Sequence, residues 1–212
     1  MREFARLPRL PAAADVSAAE RADYDLVIER TSRVHGLDGI AATYFGALLQ
    51  SPPLAATLVR LGTGIRQGQL RGTYTDAERE LMDIVLAVEL GDNAILAVHI
   101  PDAVAVGVRP EAIAAIIERR ERDLTTDERE LADFAHAFVA GTVDDALYAT
   151  IRHRLGDRGA VEFTVLLGFL VMTIRLWQAL GVPQPSDAEI AALLAGLRNG
   201  TIAPPDPTAR IG

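Results

Sequence analysis

The sequence predicts an all-α fold, a helical bundle, on three observations. Half of its 212 residues are hydrophobic while only 5% are aromatic, a balance set by Ala, Leu, Val and Ile that suits packed helices better than sheets. Four boxes of Ser or Thr with Glu three residues later each precede an apolar repeat of helical period, and such boxes satisfy the free amides of a helix start reciprocally. No stretch requires a strand.

The elements follow in order from these signals. Ser17 with Glu20 opens a helix over 17–34, and further helices are expected over 38–50 and 52–68. Thr75 with Glu78 opens 76–90, which Gly91 stops, and 93–106 follows. The Gly107 to Pro110 stretch separates that helix from one over 110–121. Thr125 with Glu128 opens 126–140, stopped by Gly141. Helices over 143–155 and 158–180 are divided by Gly156, and after the turn GVPQP the box Ser186 with Glu189 opens 187–198. The proline-bearing segments over 1–16 and 199–212 read as extended arms that bury little by themselves. No linker divides the chain, so one domain over 1–212 is expected. A weak internal echo exists, ERELMD at 78–83 against ERELAD at 128–133, and it hints at two similar helical halves; Glu162 is an alternative counterpart of Glu80.

Composition excludes several function classes. A formal net charge of −8 argues against nucleic acid or an anionic membrane as partner, since both reward a basic surface. All 21 basic residues are arginine, so Schiff-base chemistry and a lysine general base are ruled out. The absence of cysteine removes disulfides, thiolate nucleophiles, sulfur-ligated metals and peroxide reduction by the protein's own thiols. The N-terminal MREFARLPRLPAAADV interrupts with prolines and charges the apolar core that a signal peptide needs. The longest apolar run, FTVLLGFLVMTI, reads as a core helix too short to span a bilayer. A cytoplasmic protein is expected.

The chemistry-bearing stretch is ELGDNAILAVH at 89–99. On a helix, Asp92, Ile95 and His99 share one stripe, and a break at Gly91 would let the preceding helix fold back so that Glu80 approaches the same face. A carboxylate and an imidazole would then meet among aliphatic side chains.

The run ERELMDIVLAVELGDNAILAVHIPDAVAVGVRPEAIAAII resembles the core of the carboxymuconolactone decarboxylase and alkylhydroperoxidase-like superfamily. YFGALLQSPPLAATLVRLG before it and DRGAVEFTVLLGFLVMTIRLWQALGV after it extend the resemblance from about Leu26 to Val182. The resemblance implies a helical bundle of that family's type and a homo-oligomer, whether dimer, trimer or hexamer, with its pocket at or near a subunit contact. It places Glu80 on the proton-relay glutamate of the peroxidase branch and His99 on its histidine, while Asp92 and Ile95 fall on the two redox cysteines. With neither sulfur present, this chain resembles the decarboxylase branch better, whose members work without cofactor on a small lactone carboxylate.

Each candidate carries a plainer reading beside the functional one. His99 is either the acid or base natural to neutral pH or a core histidine bonded to a carbonyl. Glu80 is either its partner or a helix charge paired with arginine. Asp92 reads as the helix N-cap, with substrate or His99 orientation as the alternative, and Ile95 as pocket wall. Arg175 is either a clamp for a substrate carboxylate or half of an ion pair with Glu162 or another acid. Tyr44, Phe45, Phe169 and Trp177 are pocket liners or ordinary core. His136 and His153 read as solvated, and His35 sits in a loop-like segment. Four scattered histidines without an HExxH-like pairing leave no metal site expected. The function expected is cofactor-independent acid–base chemistry on a small oxygenated or carboxylate-bearing substrate, by Glu80 and His99 with pKa values moved toward neutrality: decarboxylation, lactone isomerisation, elimination or cyclisation. The alternatives are a non-catalytic binding or assembly protein and, more weakly, a peroxidase supplied with an external thiol.

Overall fold

A computed structural model describes residues 12–37 and 39–206. Among the described residues there are ten α-helices and two 3-10 turns, and no strand. The helices are α1 (Arg21–His35), α2 (Ile40–Leu48), α3 (Pro52–Arg66), α4 (Gly68–Arg71), α5 (Asp76–Leu90), α6 (Asn93–Ala105), α7 (Pro110–Ile117), α8 (Thr126–Ala140), α9 (Asp145–Leu180) and α10 (Asp187–Arg198). Two compact units contain them. One holds the described residues up to Gly64 together with Arg175–Pro183; the other holds Ile65–Ile174 and the described residues from Gln184 to 206.

Three of the four predicted capping boxes form. Thr75, Thr125 and Ser186 are N-caps whose side chains accept the amide of Glu78, Glu128 and Glu189, with the glutamates returning the bond. The first box does not cap a helix. The Ser17 hydroxyl donates instead to the Glu20 carboxylate at 2.8 Å, residues 18–20 form a turn, and α1 starts at Arg21. The Glu20 amide closes on the Ser17 backbone carbonyl at 3.1 Å, so the turn takes the amide that the hydroxyl would have accepted as a cap.

Two other boundaries shift for reasons of backbone geometry. The helix predicted over 110–121 stops at Ile117, because Arg119 takes a left-handed φ of 55°. The Arg120 amide then reaches the Ala115 carbonyl at 2.7 Å and the Arg119 amide that of Ile116 at 3.1 Å, a double closure that glycine usually supplies. Arginine hides that signal in the sequence. Its side chain is anchored on the Glu89 carboxylate at 2.6 Å and the Val88 carbonyl at 3.0 Å. The two helices predicted on either side of Gly156 are joined directly within α9, where Gly156 alone is non-helical at φ 72° and ψ 173°.

The first unit packs α1 on α2, with Tyr24, Val27, Tyr44, Leu49, Ala55 and Trp177 among its buried side chains. In the second unit α5 is central, packed against α6, α7 and α8, and α10 covers α6 and α7. Eight consecutive α5 residues from Glu80 to Ala87 are buried. More than two full turns therefore have no face toward water, so the two acids in the run go inside with the aliphatic residues around them.

The α9 helix corrects the expectation that nothing is long enough to cross a bilayer. By length and composition it passes that test, with a mean hydropathy of 1.7 over its most apolar window, 39% of which is buried. Phe163, Leu166, Leu167, Leu170 and Ile174 form its buried side, while Val161, Val165 and Met172 are exposed.

Candidate functional site

The site is built where α5 turns back into α6. Gly91 adopts φ 70° and ψ 53°, a left-handed conformation that costs glycine little, and the Asp92 amide reaches back to the Ala87 carbonyl at 2.8 Å. Asp92 then caps α6 by accepting the Ile95 amide at 3.0 Å. Ending one helix and starting the next within two residues folds α6 back along α5. Glu80, one turn into α5, and His99, near the middle of α6, meet across that contact with Glu80 Oε2 at 2.8 Å from His99 Nδ1.

The pair is nearly sealed: Glu80 is 3% exposed and His99 8%. A carboxylate only accepts, so Nδ1 carries the proton of that bond. The other ring nitrogen, Nε2, takes no hydrogen bond among the described residues.

Two arginines and a second acid complete the cluster, and none of the three was singled out from the sequence. Asp83, one turn after Glu80, is 2% exposed and places Oδ2 at 3.6 Å from His99 Nδ1. Arg66, the last residue of α3, grips both Asp83 oxygens at 2.9 Å, the paired geometry that suits guanidinium to carboxylate. Arg79 donates to Glu80 and to Asp76. The signal available in the sequence was the i, i+3 spacing of Glu80 and Asp83 inside an otherwise apolar run.

These charges decide the protonation of the pair. Burial works against ionising Glu80, but Arg79 and the His99 ring hold its carboxyl well below the usual carboxylate range. Burial would also strip the proton from His99, yet Asp83 and Glu80 outweigh it and hold the imidazole above its ordinary value. Burial likewise opposes the charge on Arg79, and Glu80, Asp83 and Asp76 restore and raise its proton affinity. The expectation that both members of the pair move toward neutrality therefore fails for Glu80: two adjacent cations outweigh desolvation. The site therefore pairs a carboxylate held in its charged form with an imidazole that keeps its proton more tightly than usual.

The donor atoms of Glu80, Asp83 and His99 lie within 4.8 Å of one another. Reading histidine pairs alone missed this mixed set, whose oxygens and imidazole are of a type that divalent transition metals accept. Both carboxylates already carry a guanidinium, so an entering dication meets two fixed positive charges. The donor set fits a metal by type and opposes one by charge.

Asp92 and Ile95 lie on α6 in the same unit as the pair. One Asp92 oxygen caps the helix while the other is buried without a hydrogen-bond partner among the described residues, and burial pushes its carboxyl up against the lowering effect of the Ile95 amide. His99 is held by Glu80 and not by Asp92. Ile95 is packed at 2% exposure.

Tyr44, Phe45, Arg175 and Trp177 fall in the other compact unit. Tyr44 and Trp177 stack with centroids 5.2 Å apart, and Phe45 meets Tyr44 edge-on at 5.1 Å. Burial raises the Tyr44 hydroxyl to about 12, and the Trp177 indole N–H is buried without an acceptor. Arg175 is exposed and donates to Gln178 at 2.8 Å. It makes no pair with Glu162, which instead binds Arg71 and Arg158 and accepts from Thr73, contacts that overcome burial and lower its carboxyl to about 2. Among the other histidines, His136 is partly exposed and lies between Glu89 at 3.3 Å and Glu121 at 3.0 Å. His35 ends α1 and stacks on Phe45, and His153 is exposed.

Residues 52–132 match the model of the carboxymuconolactone decarboxylase family. The match runs from the start of α3 into α8 and contains Arg66, Arg79, Glu80, Asp83, Asp92, Ile95 and His99, whereas Tyr44, Phe45, Arg175 and Trp177 lie outside it. No curated protein and no solved structure matches the chain.

Proposed function

We propose that the carboxymuconolactone decarboxylase-like segment at 52–132 carries cofactor-independent lyase or isomerase chemistry, with His99 as the proton-transferring group. The observation that supports this most directly is the Glu80 to His99 bond of 2.8 Å, which occupies Nδ1 and leaves Nε2 without a partner among the described residues. In this reading the protonated His99 delivers a proton from Nε2 to a carbon or oxygen centre of a small oxygenated or carboxylate-bearing substrate. The ring then takes a proton back to complete the cycle. Decarboxylation, lactone isomerisation, elimination and ring closure all present such an electron-rich centre. Glu80 stays ionised throughout, fixes the ring's orientation and stabilises its positive charge. It exchanges no proton itself.

The test is turnover of carboxymuconolactone and related small lactone carboxylates in deuterated water, followed by NMR for deuterium gained by the product and by release of carbon dioxide. His99→Gln is expected to lower the rate by roughly 10²–10⁴-fold. Equal rates for H99Q and the parent protein would overturn the role of His99.

A second reading, a non-catalytic binding or assembly protein, is favoured by the closure of the buried charges on one another and by the packing of Ile95 and Leu96 at 2% and 3% exposure. Absence of turnover across the substrate set, with folded protein, would favour it. A peroxidase fed by an external thiol has less support, because no resident cysteine thiol is present to form the first oxidised species.

A further inference from the structure

We propose that Asp83, gripped by Arg66, is a positioning residue that sets how tightly His99 holds its proton. The inference rests on the reading of His99 as the proton carrier, and it concerns residues to which that reading gave no part.

Geometry singles Asp83 out. Its carboxylate is sealed at 2% exposure, stands 3.6 Å from His99 Nδ1, and has both oxygens committed to Arg66 at 2.9 Å. Glu80 already makes the hydrogen bond to Nδ1, so Asp83 is not needed to orient the ring. What it adds is charge at short range, in surroundings where water screens little. Arg66 acts in the opposite direction on the same proton, because its guanidinium is the cation that offsets Asp83. The charged groups bearing on the ring are therefore Glu80 and Asp83 from α5 and Arg66 from the end of α3. The site thus divides the work: Glu80 fixes direction and adds its own charge, while the Asp83 and Arg66 couple changes proton affinity without orienting the ring.

A purely structural salt bridge would have no signed effect on the imidazole. The proposed couple does. Asp83→Asn leaves Arg66 in place and removes a negative charge from beside the ring, so His99 should release its proton at a pH lower by about 1–3 units. Arg66→Met removes the offsetting cation and should shift the titration upward. The measurement is a proton NMR titration of the four histidines in the full chain without any substrate, with the His99 signal assigned by its loss in H99Q.

Opposite shifts in D83N and R66M support the proposal. No shift in D83N, or shifts of the same sign in both, overturn it. Loss of one partner from a buried pair destabilises a fold strongly, whereas replacing both by apolar residues is often tolerated. Should D83N fail to fold by far-UV circular dichroism, R66M/D83L removes both charges. Because Asp83 stands against the ring and Arg66 acts from behind it, His99 should then titrate below its parent value, and an unchanged titration overturns the proposal. Since the titration needs no turnover, its failure is distinct from a failure of the catalytic reading. Where turnover is found, the pH at which the D83N rate falls should move down with the His99 titration.

Discussion

Replacing Glu80 by glutamine tests the buried charge cluster most directly. In the native chain the Glu80 carboxylate is 3% exposed and answers two donors, His99 Nδ1–H at 2.8 Å and the Arg79 guanidinium. Glutamine keeps one acceptor oxygen for one of them and turns an NH2 group toward the other, where a donor faces a donor. Breaking a buried pair in this way costs about 3–5 kcal/mol, which in a chain of this size corresponds to a fall in melting temperature on the order of 6–20 °C. The penalty should depend on pH with a definite sign. The folded-state pKa of Glu80 lies below that of the unfolded chain, near 4.3, so its contribution is fully present above that value and is lost as pH falls toward the folded pKa. Urea unfolding followed by far-UV circular dichroism at pH 7 and at pH 3 should therefore show a wide gap between parent and E80Q that narrows in acid. A gap under about 1 kcal/mol at pH 7, or one of equal width at both pH values, would refute the argument that an ionised Glu80 holds this cluster together.

The His99 linkage runs in the opposite sense. Its folded-state pKa is raised, so its stabilising contribution is complete below about pH 6.5 and lost as pH rises through the folded value; H99Q should lie closer to the parent in stability at pH 9 than at pH 6. Gly156→Ala should cost about 1–3 kcal/mol in urea unfolding, because φ 72° with ψ 173° is a conformation nearly reserved to glycine. Arg119→Gly should cost little, or stabilise by up to about 1 kcal/mol, since it relieves the left-handed φ of 55° while losing an exposed ion pair with Glu89 and an exposed hydrogen bond to the Val88 carbonyl. Millimolar manganese or zinc should leave the melting temperature unchanged within about 1 °C, because Arg66 and Arg79 already neutralise both carboxylates; a rise with metal concentration would show that a dication displaces them.

Much of the fold was legible because helix starts and stops are local events. The Thr75, Thr125 and Ser186 boxes and the Gly91, Gly141 and Gly156 breaks act over three or four residues, and a reader of the sequence sees every participant. The local code failed where one residue had two uses. The Glu20 amide closed on the Ser17 carbonyl instead of its hydroxyl, and Arg119 took the backbone role of a glycine because Glu89 and Val88, thirty residues upstream, hold its side chain.

The site was legible only in part. The nineteen-residue spacing and the glycine break suggested that Glu80 and His99 could meet, yet spacing says nothing about what else arrives. The internal echo makes the limit concrete. Glu80 with Asp83 and Glu130 with Asp133 occupy equivalent positions after identical capping boxes, ERELMD against ERELAD, but the first two acids are buried while Glu130 is partly exposed and Asp133 is exposed.

The sequence by itself therefore determined the helical class, most helix ends, and the absence of thiol and lysine chemistry, because propensity, capping and composition belong to short stretches of chain. Tertiary structure alone decided which acids are buried, that Asp83, Arg66 and Arg79 surround the pair, and that Glu80 is driven down while His99 is held up. Those outcomes depend on distances between charges far apart in sequence and on how much water is excluded around them, and both quantities exist only once α3, α5 and α6 are packed.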